Sequence, residues 1–215
     1  MSLRKIKQFF ANGIIFLVIL GWIVPVWAGM PTEQIKEKTD EIKNILNDPA
    51  FQDKKEERKE LITHIIDGMV DWQEATKRAL GLHWRKRSPQ EREEFISLFK
   101  DLLKRMYRDK LELYSGEQIV FETEKIDGDY AVVKTKIINE KGGADISVDF
   151  RLLKNGERWL TYDLSIEGIS VLNNYRVQFD EIIQSSSYED LVKKMKNKQE
   201  VGSRVTSKSS KEPKQ

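Results

Sequence analysis

The stretch that most constrains the fold is Trp159–Phe179, where the spacing of apolar residues changes. Its first half alternates, which predicts a strand with one buried and one exposed face. The expected buried positions are Leu160, Tyr162, Leu164 and Ile166, and the expected exposed positions are Trp159, Thr161, Asp163 and Ser165. Beyond Gly168, apolar residues recur at three- and four-residue steps from Val171 to Ile183, which predicts a helix. The strand therefore passes directly into a helix, and Gly168 is the candidate hinge because glycine tolerates positive φ.

Both ends of the chain are predicted to lie outside the folded domain. Residues 1–28 combine a basic start, a short broken apolar run and the small-residue site Val26-Trp27-Ala28, which predicts a signal peptide and export to the periplasm. The alternative is an uncleaved inner-membrane anchor, which leaves the rest of the chain on the same side. Residues 29–198 are long enough for a single domain with a substantial core. Residues 199–215 are basic and lack aromatics, so they are predicted to be a disordered tail.

Composition argues against several classes of function. The 215 residues include no cysteine, so this exported chain depends on its core without disulfides. The formal charge is +2, but the part between leader and tail is mildly acidic, which argues against a nucleic-acid-binding surface. The two histidines, His64 and His83, lack zinc-ligand spacing, and His64 is expected at the core or its boundary. Asp163 and Glu167 are expected to be solvated surface carboxylates, so neither a metal site nor an enzyme is predicted.

Periodicity places the secondary structure in a clear order. Helices are predicted over residues 32–47, 53–69, 72–80 and 89–113, strands over 117–124, 130–139, 144–153 and 158–167, and two further helices follow. Ser88-Pro89-Gln90-Glu91 predicts a capping box at the fourth helix, and Ser187 is expected to cap the last one. The predicted fold is α+β: a curved four-stranded antiparallel sheet backed by about six helices, NTF2-like in outline.

Apolar side chains are abundant on the faces that this arrangement turns inward. The inward strand residues are Phe121, Val148, Phe150, Tyr162 and Leu164, and the facing helix carries Phe99, Leu103 and Met106. Two alternatives are open at this point. The side chains fill one another, as such stripes ordinarily do, or they enclose a ligand cavity.

Two blocks of the sequence are distinctive. The first runs Trp72-Gln73-Glu74-Ala75, Ala79-Leu80-Gly81-Leu82-His83-Trp84, Ser88-Pro89-Gln90-Glu91-Arg92-Glu93-Glu94-Phe95, Leu98-Phe99 and Tyr107. The second runs Tyr162-Asp163-Leu164, Glu167-Gly168-Ile169-Ser170, Asn174-Tyr175-Arg176 and Phe179. Together they resemble the MlaC family of exported phospholipid-binding proteins, also called toluene-tolerance auxiliary proteins, over residues 32–197.

The resemblance implies a periplasmic carrier that maintains outer-membrane lipid asymmetry. Such a carrier shuttles a glycerophospholipid between an outer-membrane lipoprotein complex and an inner-membrane ABC transporter with an MCE-domain subunit. It implies acyl chains held in an apolar cavity between sheet and helices, with no catalytic residue and no cofactor. We therefore expect the cavity to be lined by Phe99, Leu103, Met106, Phe121, Val148, Phe150, Tyr162 and Leu164, with Gly168 as the hinge of a helix that shifts when lipid binds.

Three alternatives stay open at the level of the sequence. The first is that the cargo is a hopanoid instead of a phospholipid. The second is that the protein is an enzyme of the ketosteroid-isomerase-like type, which requires an acidic group or a histidine deep in the cavity. The third is that the protein is a structural envelope adaptor, in which case the core is filled.

Overall fold

The computed structural model describes residues 30–111, 117–139 and 143–197, without the side chains of residues 108–111. The predicted signal peptide (1–28) and basic tail (199–215) lie outside these ranges, as does the expected end of the fourth helix near Leu113. Within the described ranges, no helix is both long enough and apolar enough to cross a bilayer.

Six α-helices occur in the described part of the chain, close to the positions that periodicity predicts. They are α1 (Pro31–Asn47), α2 (Lys55–Met69), α3 (Trp72–Leu80), α4 (Pro89–Leu111), α5 (Val171–Ser185) and α6 (Tyr188–Lys196). Two short 3-10 turns, Pro49–Phe51 and Gly81–Lys86, follow α1 and α3.

Local side-chain chemistry sets the ends of several helices. At the start of α4 the amide of Glu91 donates to Ser88 Oγ over 3.2 Å, and the amide of Ser88 donates to Glu91 Oε2 over 2.7 Å. This is the predicted capping box. Gly81 ends α3 with a φ of 57°, and the hydroxyl of Ser187 accepts from the amide of Asp190 at the start of α6. The capping box and the serine cap of α6 confirm the helix starts that the sequence predicts.

The strands form one antiparallel sheet in chain order. They are β1 (Gln118–Asp127), β2 (Tyr130–Ile138), β3 (Ile146–Asn155), β4 (Arg158–Ile166) and β5 (Ile169–Ser170). The fold is α+β as predicted, with a two-residue fifth strand beyond the four expected. This strand forms because the chain turns at Glu167 and Gly168, both at positive φ, and pairs Ile169 with Ile166.

The exposure predicted for the residues of β4 is wrong. The positions expected to face water are the buried ones, namely Trp159, Thr161, Asp163 and Ser165. One cause is a β-bulge. Arg151 of β3 pairs with Asp163, but the next residue, Leu152, pairs with Thr161, so Tyr162 is an extra residue in β4. An extra residue shifts the alternation by one position, so the residues before the bulge change faces relative to those after it.

The outer edge of β4 is also covered, which is the second cause. Val70 forms a parallel bridge with Thr161, and the amide of Asp71 donates to the carbonyl of Thr161 over 3.0 Å. At the other end of β4, Ser165 pairs with Ser170 of β5. Polar residues of β4 are therefore enclosed by the chain segments that precede α3 and α5.

Two clusters of buried apolar side chains hold these layers together. The larger lies among α3 to α6 and includes Phe95, Phe99, Tyr175 and Phe179. The smaller joins α1 to the sheet and consists of Ile35, Ala131, Val133, Leu152 and Trp159. The half-buried residues Tyr162, Leu164 and Ile166 of β4 pack against the larger cluster, so β4 lies at the boundary between sheet and helices.

Candidate functional site

An apolar cavity of about 310 Å³ lies between β4 and the helices. Its wall is almost wholly hydrocarbon and comes from α2 to α5 and β4. The lining residues are Ile66, Val70, Trp72, Ala75, Leu103, Met106, Tyr107, Thr161, Tyr162, Asp163, Leu164, Ile166, Val171 and Leu172. The volume is at the lower end of the range for small-molecule sites, roughly 300–1,000 Å³. The cavity can hold an apolar segment of a ligand as it stands, and a larger ligand requires the walls to separate.

Four of the eight residues expected at the cavity line it. Leu103 and Met106, three positions apart on α4, form one wall, and Tyr162 and Leu164 of β4 form the opposite wall. Tyr162 is the bulge residue, and its ring is covered by the guanidinium of Arg78 at 4.0 Å from the ring centroid. These four side chains are half-buried, as expected for residues that border a cavity.

Phe99 lies elsewhere. It is 0% exposed and contacts two aromatic rings of α5, with its centroid 5.3 Å from that of Tyr175 and 5.6 Å from that of Phe179. It is therefore part of the aromatic core between α4 and α5, one turn away from Leu103. The stripe of α4 is wide enough to contact both the helical core and the cavity, and Phe99 is on the core side.

Phe121, Val148 and Phe150 are not among the cavity-lining residues described above. The register places them on the face of the sheet that also carries Leu164, because Phe150 pairs with Leu164 and Thr135 pairs with both Phe121 and Val148. All three are half-buried, and Phe121 and Phe150 pack against the smaller cluster under α1. Contact of these three residues with a lipid stays a prediction.

The structure adds lining residues that the sequence reasoning missed. Trp72 and Ala75 are three positions apart on α3, and Ile66 is on the apolar stripe of α2. Val171 and Leu172 begin α5. Each belongs to an apolar stripe that is visible in the sequence, but the stripe alone does not say whether it meets another side chain or an open space.

Asp163 was expected to be a solvated surface carboxylate, and the structure corrects this. It is 7% exposed and lines the cavity. Its Oδ1 accepts from the amide of Leu172 over 3.0 Å, and its Oδ2 accepts from the hydroxyl of Ser170 over 2.6 Å. A carboxylate at a helix start satisfies amides that have no partner within the helix. Asp163 therefore clamps the start of α5 to β4, and both of its oxygens are engaged in that role.

The candidate hinge lies in the turn between β4 and β5. Gly168 has a φ of 76° and Glu167 a φ of 49°, the left-handed pair that a tight hairpin requires. The amide of Glu167 donates to the carbonyl of Ser147 over 2.9 Å, and its carboxylate accepts from the amide of Ser147. The turn is thus fastened to β3, and hinge motion at Gly168 stays a prediction.

Neither histidine lies in the cavity. His64 is exposed on α2, which corrects the expectation of a core or boundary position. The Nε2 of His83 is 2.7 Å from Oδ1 of Asp180 on α5, and hydrogen bonds from His83 and Gln184 hold the pKa of Asp180 below its usual value. In residues 30–111, 117–139 and 143–197, no group of three or more potential ligands is placed to hold a metal ion.

An α+β fold with an apolar cavity between its last long strand and its helices is suited to the class of proteins that enclose an apolar ligand. Comparison with protein families identifies the family within this class, because the model described as "MlaC protein" matches residues 36–197. The chain belongs to the MlaC family, which confirms the resemblance found in the sequence.

Two individual proteins are similar to this chain. The intermembrane phospholipid transport system binding protein MlaC of Haemophilus influenzae is 28% identical over 130 residues, which are 59% of this chain and 61% of that protein. The match thus spans less than two thirds of the relative. The fold is shared with a phospholipid-binding protein from Ralstonia solanacearum, whose structure contains a phospholipid. That likeness has a TM-score of 0.67 at 21% identity and covers 79% of this chain and 96% of the other.

Proposed function

We propose that the protein is a periplasmic carrier that takes a glycerophospholipid from one membrane and holds its acyl chains between β4 and the helices. The observation that carries the proposal is the hydrocarbon cavity bounded by Leu103, Met106 and Leu164, in a chain of the MlaC family. The name of the Haemophilus relative and the phospholipid in the Ralstonia structure support the same cargo.

The energetics of the cargo explain why such a cavity has to be dry. Each methylene kept out of water contributes about 0.8 kcal/mol, so two acyl chains of roughly 30 methylenes represent about 20 kcal/mol or more. A free lipid therefore does not cross an aqueous space at a useful rate. The carrier has to match the bilayer roughly, because a cavity that bound far more tightly would not unload.

The size of the cavity requires that its walls move. A volume of about 310 Å³ does not accommodate two long chains, so α5 is proposed to shift away from β4 as lipid binds, with Gly168 as the hinge. The clamp from Asp163 to the start of α5 opposes that shift, since moving α5 stretches its hydrogen bonds to Leu172 and Ser170. The same clamp restores the closed arrangement after the lipid leaves.

The proposal extends to location and partners. Cleavage after residue 28 would release the domain into the periplasm. There it would exchange lipid with an inner-membrane ABC transporter that has an MCE-domain subunit and with an outer-membrane lipoprotein complex. The carrier itself would bind no nucleotide, nucleic acid or cofactor and would catalyse no reaction, because the partners supply any direction to the transport.

A cavity-filling variant tests the proposal. The purified protein is incubated with liposomes of phosphatidylethanolamine and phosphatidylglycerol, reisolated, and its extracted lipid is quantified by mass spectrometry. Leu103→Trp places an indole in the cavity, and excluding only two methylenes costs about 1.6 kcal/mol, more than tenfold in affinity. Leu82→Trp is the matched control, because Leu82 is 82% exposed and outside the cavity. Uptake that is equal in the two variants, or absent from the wild type, would contradict the proposal.

A further inference from the structure

Two polar atoms in the apolar cavity wall have no hydrogen-bond partner within the described residues. They are Nε1 of Trp72 and Oγ1 of Thr161, and both are sealed from solvent. Thr161 is 5% exposed, and both residues line the cavity. A buried polar group without a partner costs free energy, so such a group at a ligand site indicates that the ligand supplies the missing partner.

The backbone brings the residues Trp72 and Thr161 close together. The amide of Asp71, the residue before Trp72, donates to the carbonyl of Thr161 over 3.0 Å, and Val70 bridges to Thr161 as well. Trp72 begins α3 directly after this contact, and Thr161 lies beside the bulge of β4. Trp72 and Thr161 are therefore neighbours in the cavity wall.

The chemistry of the pair restricts its partner. An indole N–H can only donate, and a threonine hydroxyl donates readily to a carbonyl. The complementary ligand carries hydrogen-bond acceptors at the point where its apolar chains begin. A glycerophospholipid has that arrangement, because two ester carbonyls on neighbouring carbons join its acyl chains to glycerol. A hopanoid ring system carries no such carbonyls.

A cation lies beside the same tryptophan, where it could contact the phosphate of a lipid whose ester carbonyls are bound by Trp72. The Nζ of Lys100 is 5.5 Å from the ring centroid of Trp72 and 3.0 Å from Oδ2 of Asp67, which also contacts Lys104 over 3.0 Å. The phosphate of a glycerophospholipid follows directly after the ester carbonyls. A lipid whose esters lie at Trp72 can therefore place its phosphate near Lys100 and Lys104, which are half-buried and paired with Asp67.

We infer that the indole N–H of Trp72 and the hydroxyl of Thr161 donate hydrogen bonds to the ester carbonyls of the bound lipid. The cavity is thereby specific for lipids with acyl esters. This inference rests on the proposed function and names its substrate class. It makes Trp72 and Thr161 specificity residues at the polar end of an otherwise hydrocarbon site.

The test compares two lipids that differ in the carbonyls alone. Liposomes contain equal amounts of dioleoyl phosphatidylethanolamine and its dialkyl ether analogue, and mass spectrometry gives the ester-to-ether ratio in the reisolated protein. The wild type is expected to enrich the ester lipid. Thr161→Val keeps the shape of its side chain, and Trp72→Phe keeps an aromatic ring in a smaller side chain. Each removes one donor and is expected to lower the ratio roughly three- to tenfold.

Thr76→Val is the matched control. Thr76 is 0% exposed and its hydroxyl also has no partner among the described residues, but it does not line the cavity. The control is expected to keep the wild-type ratio. Thermal unfolding of the lipid-stripped protein is a second measurement, in which Thr161→Val is expected to be as stable as the wild type because the hydroxyl of Thr161 has no partner among the described residues.

The possible results separate the inference from the proposed function. Equal uptake of ester and ether lipid by the wild type overturns the inference and leaves lipid carriage intact. Variants of Trp72 and Thr161 that keep the wild-type ratio, or a control that loses it equally, also overturn the inference. A wild type that takes up neither lipid contradicts the proposed function itself.

Discussion

Replacing Asp163 should loosen the junction between β4 and α5 while leaving the cavity wall otherwise unchanged. Asp163→Ala removes the acceptors for the amide of Leu172 and the hydroxyl of Ser170, which are 3.0 Å and 2.6 Å away. Hydrogen bonds to a charged group contribute about 1.5 kcal/mol each at the lower end of their range, so the variant should lose about 3 kcal/mol of stability. Asp163→Asn keeps one carbonyl acceptor, now neutral and contributing about 1 kcal/mol, and should lose about 2 kcal/mol.

Urea-induced unfolding gives these free energies, provided that the unfolding free energy falls with urea concentration at the same rate in all variants. Asp149→Ala is the matched control. Asp149 is half-buried on β3 and pairs with Ser165 in the same ladder, but it is not at a helix start. Its replacement should change the unfolding free energy by no more than about 0.5 kcal/mol, as for an ordinary strand position.

The same variants distinguish the carrier from an enzyme. A clamp predicts that Asp163→Asn still takes up lipid, with exchange at least as fast as in the wild type because α5 is held less firmly. A catalytic carboxylate predicts a folded Asn variant that has lost a chemical activity. If Asp163→Ala were as stable as the control, or if Asp163→Asn were stable but unable to bind lipid, the assignment of Asp163 as a clamp would be wrong.

Two further predictions concern the hinge and the start of α4. A Cβ atom at Gly168 or Gly128 meets no atom within 4 Å, but a valine there must adopt a positive φ, at a cost on the order of 1–3 kcal/mol. Gly168→Val should therefore slow lipid exchange between liposomes while the equally strained Gly128→Val does not, and equal rates would leave Gly168 an ordinary turn residue. The amide of Ser88 lowers the pKa of Glu91, so the stability that Glu91 contributes is present above its ordinary pKa of 4.5 and is lost as the pH falls through the lowered value. Glu91→Gln should flatten the acid dependence of the urea midpoint below pH 4.5, and a dependence as steep as in the wild type would show that the capping box is unimportant.

Much of the fold could be predicted because its causes are local in the sequence. The capping box at Ser88, the glycine that ends α3 and the serine that caps α6 are each complete within a few residues. The alternation of apolar and polar residues in β3 and the helical spacing of apolar residues after Gly168 are equally local. These features give the element order and the α+β class without knowledge of which elements contact each other.

The burial along β4 could not be predicted in the same way, because its causes lie outside the strand. The bulge at Tyr162 is a property of the pairing between β3 and β4, and its position depends on both strands. Asp163 is buried because the start of α5 returns to it after the turn, and Thr161 is buried because Val70 pairs with the strand edge. A polar residue in a strand is expected to be exposed unless such a partner is known.

The residues that line the cavity could be predicted only in part, for a related reason. Leu103 and Met106 of α4 line it, whereas Phe99 on the same stripe packs against Tyr175 and Phe179. Both sets have the same helical spacing, so the sequence identifies the stripe but not the point where packed core gives way to open space. The family resemblance predicted that a cavity exists. The position of Trp72 in its wall depends on the packing of α3 against β4, which the sequence does not give.

The central claim is that the acyl chains of a phospholipid occupy the cavity beside β4. The most direct test uses Trp72, since residues 29–215 contain only Trp72, Trp84 and Trp159 of the five tryptophans. With Trp84 and Trp159 replaced by phenylalanine, loading phosphatidylethanolamine brominated on its acyl chains should strongly quench the fluorescence of Trp72. A protein that retains only Trp84, which is buried in the larger core, should be quenched far less. A protein that binds the brominated lipid while Trp72 stays as bright as with the unbrominated lipid would contradict the account.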